Sequence, residues 1–384
     1  MSRQESGART LGTMANARGR RVLVVEPSGN LWGSERALLD LATGLTDTGW
    51  RLGLCCPPNT AMLQLAHSKF DEVFPYFIAH LHRKTKWNRA IALLQLVRAI
   101  RTFKPDLIYV NQAGVTKLAL TAARITRHPL VTHTRLREDV DYLLPMLTQS
   151  RVRHAVCVSD FIRGCFEPKA GADKLKLITA LYDCYEMANT QPKVQAENQN
   201  RVICIGRIES NKGQDVLVAA LGQLGDKIPG LHLRLLGAIN EDSFSMQLRA
   251  EVQRLNLSER VEFVGFSSDI WPHFTASDFL VCPSHVEALG RVIFEAWDAG
   301  IVPIAYAGSG GPAETIAASN AGILYDHQDP SCLADAIFAA YEMPARVRSE
   351  MVERGRSWMK ENLDPTACAM MIANVFDAAI DQTK

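Results

Sequence analysis

The sequence predicts an α/β protein of two domains, each a sheet of parallel strands with helices on its faces. At 384 residues the chain exceeds one ordinary core, and two domains of usual size are expected. Short apolar runs of strand length alternate with segments whose apolar residues recur at helical spacing, the pattern of βαβ units. Residues 279–306 spell one such unit in full: a strand (279–282), a polar loop, a helical run (291–299), a stop at Gly300 and a second strand (301–306). Ligands of such sheets gather where strand carboxyl ends meet helix N-termini. The loop carrying Glu287 and Gly290, and the turn with Gly308, Gly310 and Gly311, are therefore where a site belongs.

Composition bounds the function classes. An apolar content of 47% with 22% charged residues is that of a soluble globular protein. No apolar run reaches the roughly 18 to 20 residues of a membrane span, so an integral membrane protein is not expected. Residues 1–20 carry Arg3, Arg9, Arg18 and Arg20 but no apolar segment, and read as a disordered leader rather than a secretory signal. The nine cysteines form no C-x2-C pair, which suits reduced, buried thiols in the cytoplasm. Charge is unevenly split. Residues 1–186 hold 26 Lys and Arg against 16 Asp and Glu, a net of +10, and residues 187–384 hold 16 against 25, a net of −9. The first half is suited to an anionic surface or acceptor, or the two halves simply attract each other.

Along the chain, residues 21–26 (RVLVVE) read as a strand, 27–33 as a loop with two glycines, and Ser34 as an N-cap for a helix reaching Gly49. The loop lacks G-x-G-x-x-G, so a dinucleotide fingerprint is absent. A second strand is expected at 52–56. Residues 80–104 form a basic stretch with Arg83, Lys84, Lys86, Arg89, Arg98, Arg101 and Lys104 around Trp87. It reads as a core-facing helix with a solvated basic face, or as a helix lying on an anionic membrane; no compact nucleic-acid motif accompanies it. Strands are expected at 106–111, 130–133 and 155–159, the last clear one of the first half, with the polar cluster His133-Thr134-Arg135 at the end of the second, where ligands gather. Asp139-Val140-Asp141 has the D-x-D form but precedes an apolar helical run, so it reads as a helix start, with no metal. Residues 182–200 are polar and irregular, a linker. Then come a strand at 202–205, the run Gly206-Arg207…Lys212-Gly213, and strands at 231–236 and 261–265. Arg207 and Lys212 would place two cations on one anion, at roughly 1.5–3 kcal/mol per charged hydrogen bond. Gly290 admits close backbone approach, and the helix starting near Arg291 favours an anion. On spacing alone, Glu287 and Glu295 read as solvated residues of a polar face.

The order of these parts is identified beyond spacing. Glu287-x7-Glu295, a strand, and a Gly-rich turn with Pro312 and Glu314 resemble the C-terminal signature of retaining glycosyltransferases of family four, which have the GT-B fold. Gly33-Ser34-Glu35 is similar to the family's G-G-x-E start, with Trp32 where a small residue is usual. Gly206-Arg207-x4-Lys212-Gly213 is similar to its phosphate-gripping turn, and Gly265-Phe266-Ser267 to its nucleobase loop. The chain departs from the family at Ala288 and Leu289, and at 180–185 (ALYDCY), which replaces its entry turn to the linker.

The resemblance implies two Rossmann-like domains facing a central cleft. A leader (1–20) would precede an acceptor-binding domain (21–185), a linker (186–200), a nucleotide-sugar domain (201–362) and a helix crossing back (363–384). It implies glycosyl transfer with retention. The catalytic residues would be Arg207 and Lys212 on the departing diphosphate, Glu287 on the sugar hydroxyls and His133 on the donor sugar. Binding would fall to Gly33, Gly206, Gly265, Phe266, Gly290, Arg291 and Val292, with Glu295 on the ribose. No cofactor is implied beyond a nucleoside-diphosphate sugar as donor. The acceptor would be a carbohydrate or lipid-linked, in polysaccharide biosynthesis at the inner face of the membrane, without nucleic acid. Rival readings are a GT-B epimerase, a non-catalytic sugar-nucleotide sensor and, least favoured, a nicotinamide-dependent oxidoreductase.

Overall fold

A computed structural model describes residues 19–77, 86–188, 200–225 and 227–382. Most of the leader, the start of the basic stretch and the middle of the linker lie outside these residues.

The first sheet holds β1 (Arg21–Val25), β2 (Arg51–Cys56), β3 (Glu72–Pro75), β4 (Leu107–Val110), β5 (Leu130–Thr134), β6 (Val152–Cys157) and β7 (Ile178–Ala180). Its order is β3-β2-β1-β4-β5-β6-β7, with every pair parallel. The second holds β8 (Arg201–Ile205), β9 (His232–Leu236), β10 (Val261–Gly265), β11 (Phe279–Cys282), β12 (Val302–Tyr306) and β13 (Ile323–Tyr325), in the order β10-β9-β8-β11-β12-β13. Strand order reverses between β1 and β4 in one sheet and between β8 and β11 in the other. Each reversal opens a crevice at the carboxyl ends of the strands. These are two Rossmann-like domains of the GT-B fold.

The central strands are continuous apolar runs because helices cover both faces. Val22, Leu23, Val24 and Val25, like Leu107, Ile108, Tyr109 and Val110, are fully buried. Two strands, β3 and β7, do not follow from apolar runs. The last clear strand of the first half, β6, begins earlier than expected, at Val152, and β7 follows it. Both β3 and β7 are edges, short and partly exposed, so they need no such run.

The helix Pro365–Asp381 packs on the helix Gly33–Asp47 of the first domain. The contact is close: a Cβ on Gly44 would lie 2.4 Å from the Pro365 carbonyl oxygen, so only glycine fits there. By length and mean hydropathy the helical stretch 345–381 is long enough to cross a membrane. It is two helices, Ala345–Asn362 and Pro365–Asp381, and Cys368, Ala369, Ile372 and Phe376 of the second are buried with Leu38, Leu41 and Tyr109 of the first domain.

Candidate active site

The crevice of the second domain is built from two loops. After β8 the chain passes Gly206 and Arg207 into a short turn, Ser210–Lys212, and then the helix Gln214–Leu224. The Gln214 side-chain amide donates to the Arg207 carbonyl oxygen at 2.8 Å and pins this loop. After β11 comes the loop carrying Glu287, whose N–H donates to the Ser309 carbonyl at 2.7 Å and whose carbonyl accepts from Gly311 N–H at 3.0 Å. The Gly-rich turn thus sets the position of Glu287. Gly290 has φ +75°, and a Cβ there would meet Pro312 at 2.5 Å, so both backbone angle and space require glycine.

Across the crevice the Lys212 ammonium forms an ion pair with Glu287, and the Ser284 hydroxyl donates to the same carboxylate at 3.1 Å. Burial works against the charge on Lys212, but Glu287 outweighs it, and the lysine pKa is held above its ordinary value. Lys212 and Glu287, 75 residues apart in sequence, meet because β8 and β11 are neighbours at the reversal.

The other expected members take the following places. The Arg207 guanidinium pairs with Glu209 at 3.0 Å and sits 5.7 Å from the Trp32 ring of the first domain. Glu295, in the first turn of the helix Val292–Ala299, lines a cavity of about 180 Å³ with Arg36, Asp40 and Arg291. Burial raises its carboxyl pKa, against Arg291 and Arg36. Gly265 has φ +82° and leads to an exposed Phe266. Gly206 lies beside the Lys212 stem, while Gly33 opens the helix Gly33–Asp47 opposite Arg291.

The crevice is closed over by the first domain. Arg291 donates to the Cys184 carbonyl at 2.7 Å and pairs with Asp40 at 3.2 Å. Arg36 reaches the Ser268 carbonyl at 3.3 Å. The Ser159 hydroxyl donates to the Ala288 carbonyl at 2.6 Å, so one position where the chain departs from the family motif is an interdomain contact. Glu314 accepts from the N–H groups of Asp160 (3.1 Å) and Phe161 (2.6 Å) and from the Tyr182 hydroxyl (2.6 Å).

Residues 32–181 match the model of Glycosyltransferase Family 4 and residues 187–358 that of Glycosyl transferases group 1. Together they take in most of the chain. It belongs to the group 1 / family 4 glycosyltransferases.

The glycosyltransferase is 24% identical over 362 residues to the lipopolysaccharide core biosynthesis glycosyltransferase LpsD of Rhizobium meliloti, covering 91% of this chain and 96% of that one. It is 29% identical over 170 residues to a GDP-mannose-dependent α-(1-6)-phosphatidylinositol monomannoside mannosyltransferase of Mycolicibacterium smegmatis, covering 42% of this chain and 43% of that one. The matched region thus spans less than half of that mycobacterial relative. Among solved structures, Anabaena Alr3699/HepE in complex with UDP and glucose superposes with a TM-score of 0.79 at 22% identity, covering 94% of this chain and all of that one. Sucrose-phosphate synthase from Thermosynechococcus elongatus gives 0.72 at 19%, over 94% and 100%. At these identities the likeness concerns the fold.

The glycosyltransferase has a second polar cluster at the reversal of the first sheet, where the sequence pointed to His133 and Arg135 but not to Glu26, Asn111, Gln112 or Asp183. Glu26, at the end of β1, accepts from the side-chain amides of Asn111 (2.5 Å) and Gln112 (2.7 Å) and from Ser28 N–H (2.7 Å). Burial, and then the nearby Glu35 carboxylate, raise its pKa from 4.5 to about 8. Arg135 donates to Asn111 twice, at 2.9 Å, and pairs with Asp183. His133 belongs here: its ring is only 3% exposed, and Nδ1 lies 2.5 Å from the Tyr109 hydroxyl and 3.3 Å from the Arg135 guanidinium. Two donors converge on Nδ1, which places the ring proton on Nε2, a buried atom with no hydrogen-bond partner. Burial, then Arg135, push the imidazole pKa well down. No hydrogen bond joins His133 to Lys212, Glu287 or Arg207 in the described residues. The available signal was that strands 21–26 and 106–111 each end an apolar run on a polar residue. Asp139 and Asp141 likewise diverge: Asp139 accepts from the N–H groups of Arg135 and Leu136, while Asp141 pairs with Lys169 at 2.7 Å.

Proposed function

We propose that this glycosyltransferase moves a sugar from a nucleoside-diphosphate sugar to a carbohydrate or lipid-linked acceptor, with retention, in cell-surface polysaccharide biosynthesis. The carrying observation is the Lys212–Glu287 ion pair at the reversal of the second sheet. A half-buried ammonium that already holds one carboxylate can exchange it for a diphosphate. Glu287 is then released to accept from sugar hydroxyls beside the reacting carbon.

Negative charge grows on the departing diphosphate in the transition state, so a preorganised cation there lowers the barrier. Arg207, at the mouth of the same loop, adds a second cation, and Glu295 takes the ribose. His133 acts through Tyr109 and Arg135 as a positioning group. In this reading Lys212 and Arg207 do the charge neutralisation, and turnover should persist in EDTA.

The test is a thermal-shift series with UDP, GDP, ADP and dTDP, followed by incubation of the matching sugar nucleotide with and without acceptor. Binding to the folded state raises the melting temperature. Conversion of donor without acceptor would replace transfer by epimerisation. Binding without turnover on any acceptor would leave a sensor.

The helix Lys86–Phe103 supports placement at an anionic membrane on the cytoplasmic side. Trp87 (80% exposed), Ile91 and Leu94 form one apolar stripe, with exposed Arg98 and Arg101 continuing the same face. Co-sedimentation with phosphatidylglycerol vesicles that is unchanged in Trp87→Ser would remove this part of the reading.

A further inference from the structure

We infer that Asn211 is a positioning residue for the transfer step: it bridges the loop after β8 to the loop after β11 and so fixes Lys212 opposite Glu287, whether or not the two are paired. This rests on the glycosyltransferase reading above and adds the residue that keeps its charged groups in register.

Each loop is first fixed on its own side of the crevice. On the β8 side, Gln214 holds the Arg207 carbonyl, and Lys212 N–H donates to the Glu209 carbonyl at 2.9 Å. On the β11 side, the Gln328 side-chain amide donates to the Pro283 carbonyl, and the Tyr325 hydroxyl of β13 donates to Gln328 Oε1 at 2.9 Å. The Gly-rich turn holds the other end of that loop at Glu287. None of these contacts sets one loop against the other.

Asn211, the residue before Lys212, does so twice. Its carbonyl accepts from His285 N–H at 2.9 Å, and its side-chain amide donates to the Val286 carbonyl at 2.8 Å. An acceptor at Val286 requires the NH2 side of the amide to face it. Two contacts of opposite polarity, to neighbouring residues, fix both the separation and the tilt of the loops. Two residues further on, Gly213 has φ +65°, and a Cβ there would lie 2.1 Å from the Pro283 carbonyl oxygen. The loops therefore touch on both sides of Lys212.

The bridge uses neither the ammonium nor the carboxylate. It survives when a diphosphate replaces Glu287 on Lys212, whereas the ion pair does not. A cation stabilises a transition state best when its position is set before charge develops, and a misplacement of about 1 Å can cost about 10²-fold in rate. Asn211 and His285 are exposed, so shortening the Asn211 side chain opens no cavity, and its effect passes through Lys212 rather than through the core.

The test uses the full chain and two readouts. In acetic anhydride labelling followed by peptide mass spectrometry, Lys212 should be acetylated about threefold faster in Asn211→Ala than in wild type, with the exposed Lys176 as internal standard. A loosened pair with Glu287 leaves more of the amine uncharged. In turnover of the sugar nucleotide, kcat should fall about tenfold while the donor KM changes less than about threefold. Asn211→Asp, of the same shape, should be no better than Asn211→Ala, since a carboxylate cannot donate to the Val286 carbonyl. Asn211→Gln keeps the amide and should recover part of the loss. On the Lys212→Ala background, Asn211→Ala should cost less than about twofold more, the mark of a residue acting through Lys212. Unchanged labelling of Lys212, a kcat above about half of wild type, or an undiminished loss on the Lys212→Ala background overturns the inference. A wild type that turns over no sugar nucleotide would sink the glycosyltransferase reading instead, and the labelling would still decide for or against Asn211.

Discussion

The two sheets reverse strand order at equivalent places, yet they build opposite kinds of site there. In the second domain the crevice is centred on the ion pair of Lys212 with Glu287, supported by the Ser284 hydroxyl. In the first it holds a buried web running from Glu26 through Asn111 and Arg135 to Asp183, with His133 and Tyr109 beside it. A single pair can trade one partner for a ligand. A web in which each polar group has several partners loses many hydrogen bonds if any member leaves, so it serves as frame. The same topological position therefore supplies a replaceable contact in one half and a rigid support in the other.

Breaking the web should have the largest effect. Asp183→Ala leaves the Arg135 guanidinium buried without its carboxylate, and removing one partner of a buried pair costs about 3–5 kcal/mol. Denaturant unfolding should show that loss. A change under about 1 kcal/mol would mean that the cluster is not frame, since typical surface substitutions are that small. Lys212→Ala tests the opposite claim. Turnover should fall about 10²-fold, as when one preorganised transition-state donor is removed, with the melting temperature little changed. Normal turnover would separate Lys212 from the diphosphate.

Glu26 sharpens the contrast through pH. Its folded pKa, about 8, lies above the ordinary 4.5. The unfolded chain gives up this proton first as pH rises, and the folded protein keeps it until about pH 8. Its contribution is therefore greatest below pH 4.5 and is lost progressively up to about 8, with a slope of at most about 1.4 kcal/mol per pH unit. In Glu26→Gln the fall in stability across that window should flatten; an unchanged slope would assign it to other groups. The smallest effect is expected at the interdomain contact. Tyr182→Phe removes one hydroxyl donor to Glu314, worth about 1 kcal/mol, and should lower the melting temperature slightly while leaving nucleotide binding intact.

Much of the fold was legible because buried parallel strands must be apolar throughout. The runs at 21–26, 106–111, 202–205 and 279–282 could hardly be anything else. β3 and β7 were not legible, since an edge strand is half solvated and needs no continuous run. The hinge is a sharper case. Residues 180–185 read only as a departure from a family turn, but Tyr182 reaches Glu314, Asp183 reaches Arg135, and the Cys184 carbonyl takes Arg291. None of those partners lies within 45 residues in sequence, so no local pattern could reveal them.

What the sequence determined by itself was chemistry in local register: Glu287 and Glu295 eight positions apart, Arg207 and Lys212 flanking one turn, Gly290 where a side chain cannot fit. The tertiary structure decided which of these meet. It joined Lys212 to Glu287, turned Arg207 toward Trp32, set Glu295 beside Arg36 and Arg291 and sealed His133 against Tyr109. Spacing along a strand or helix sets direction over a few residues only. Partnership between loops depends on strand order and domain closure, which no short stretch of sequence encodes.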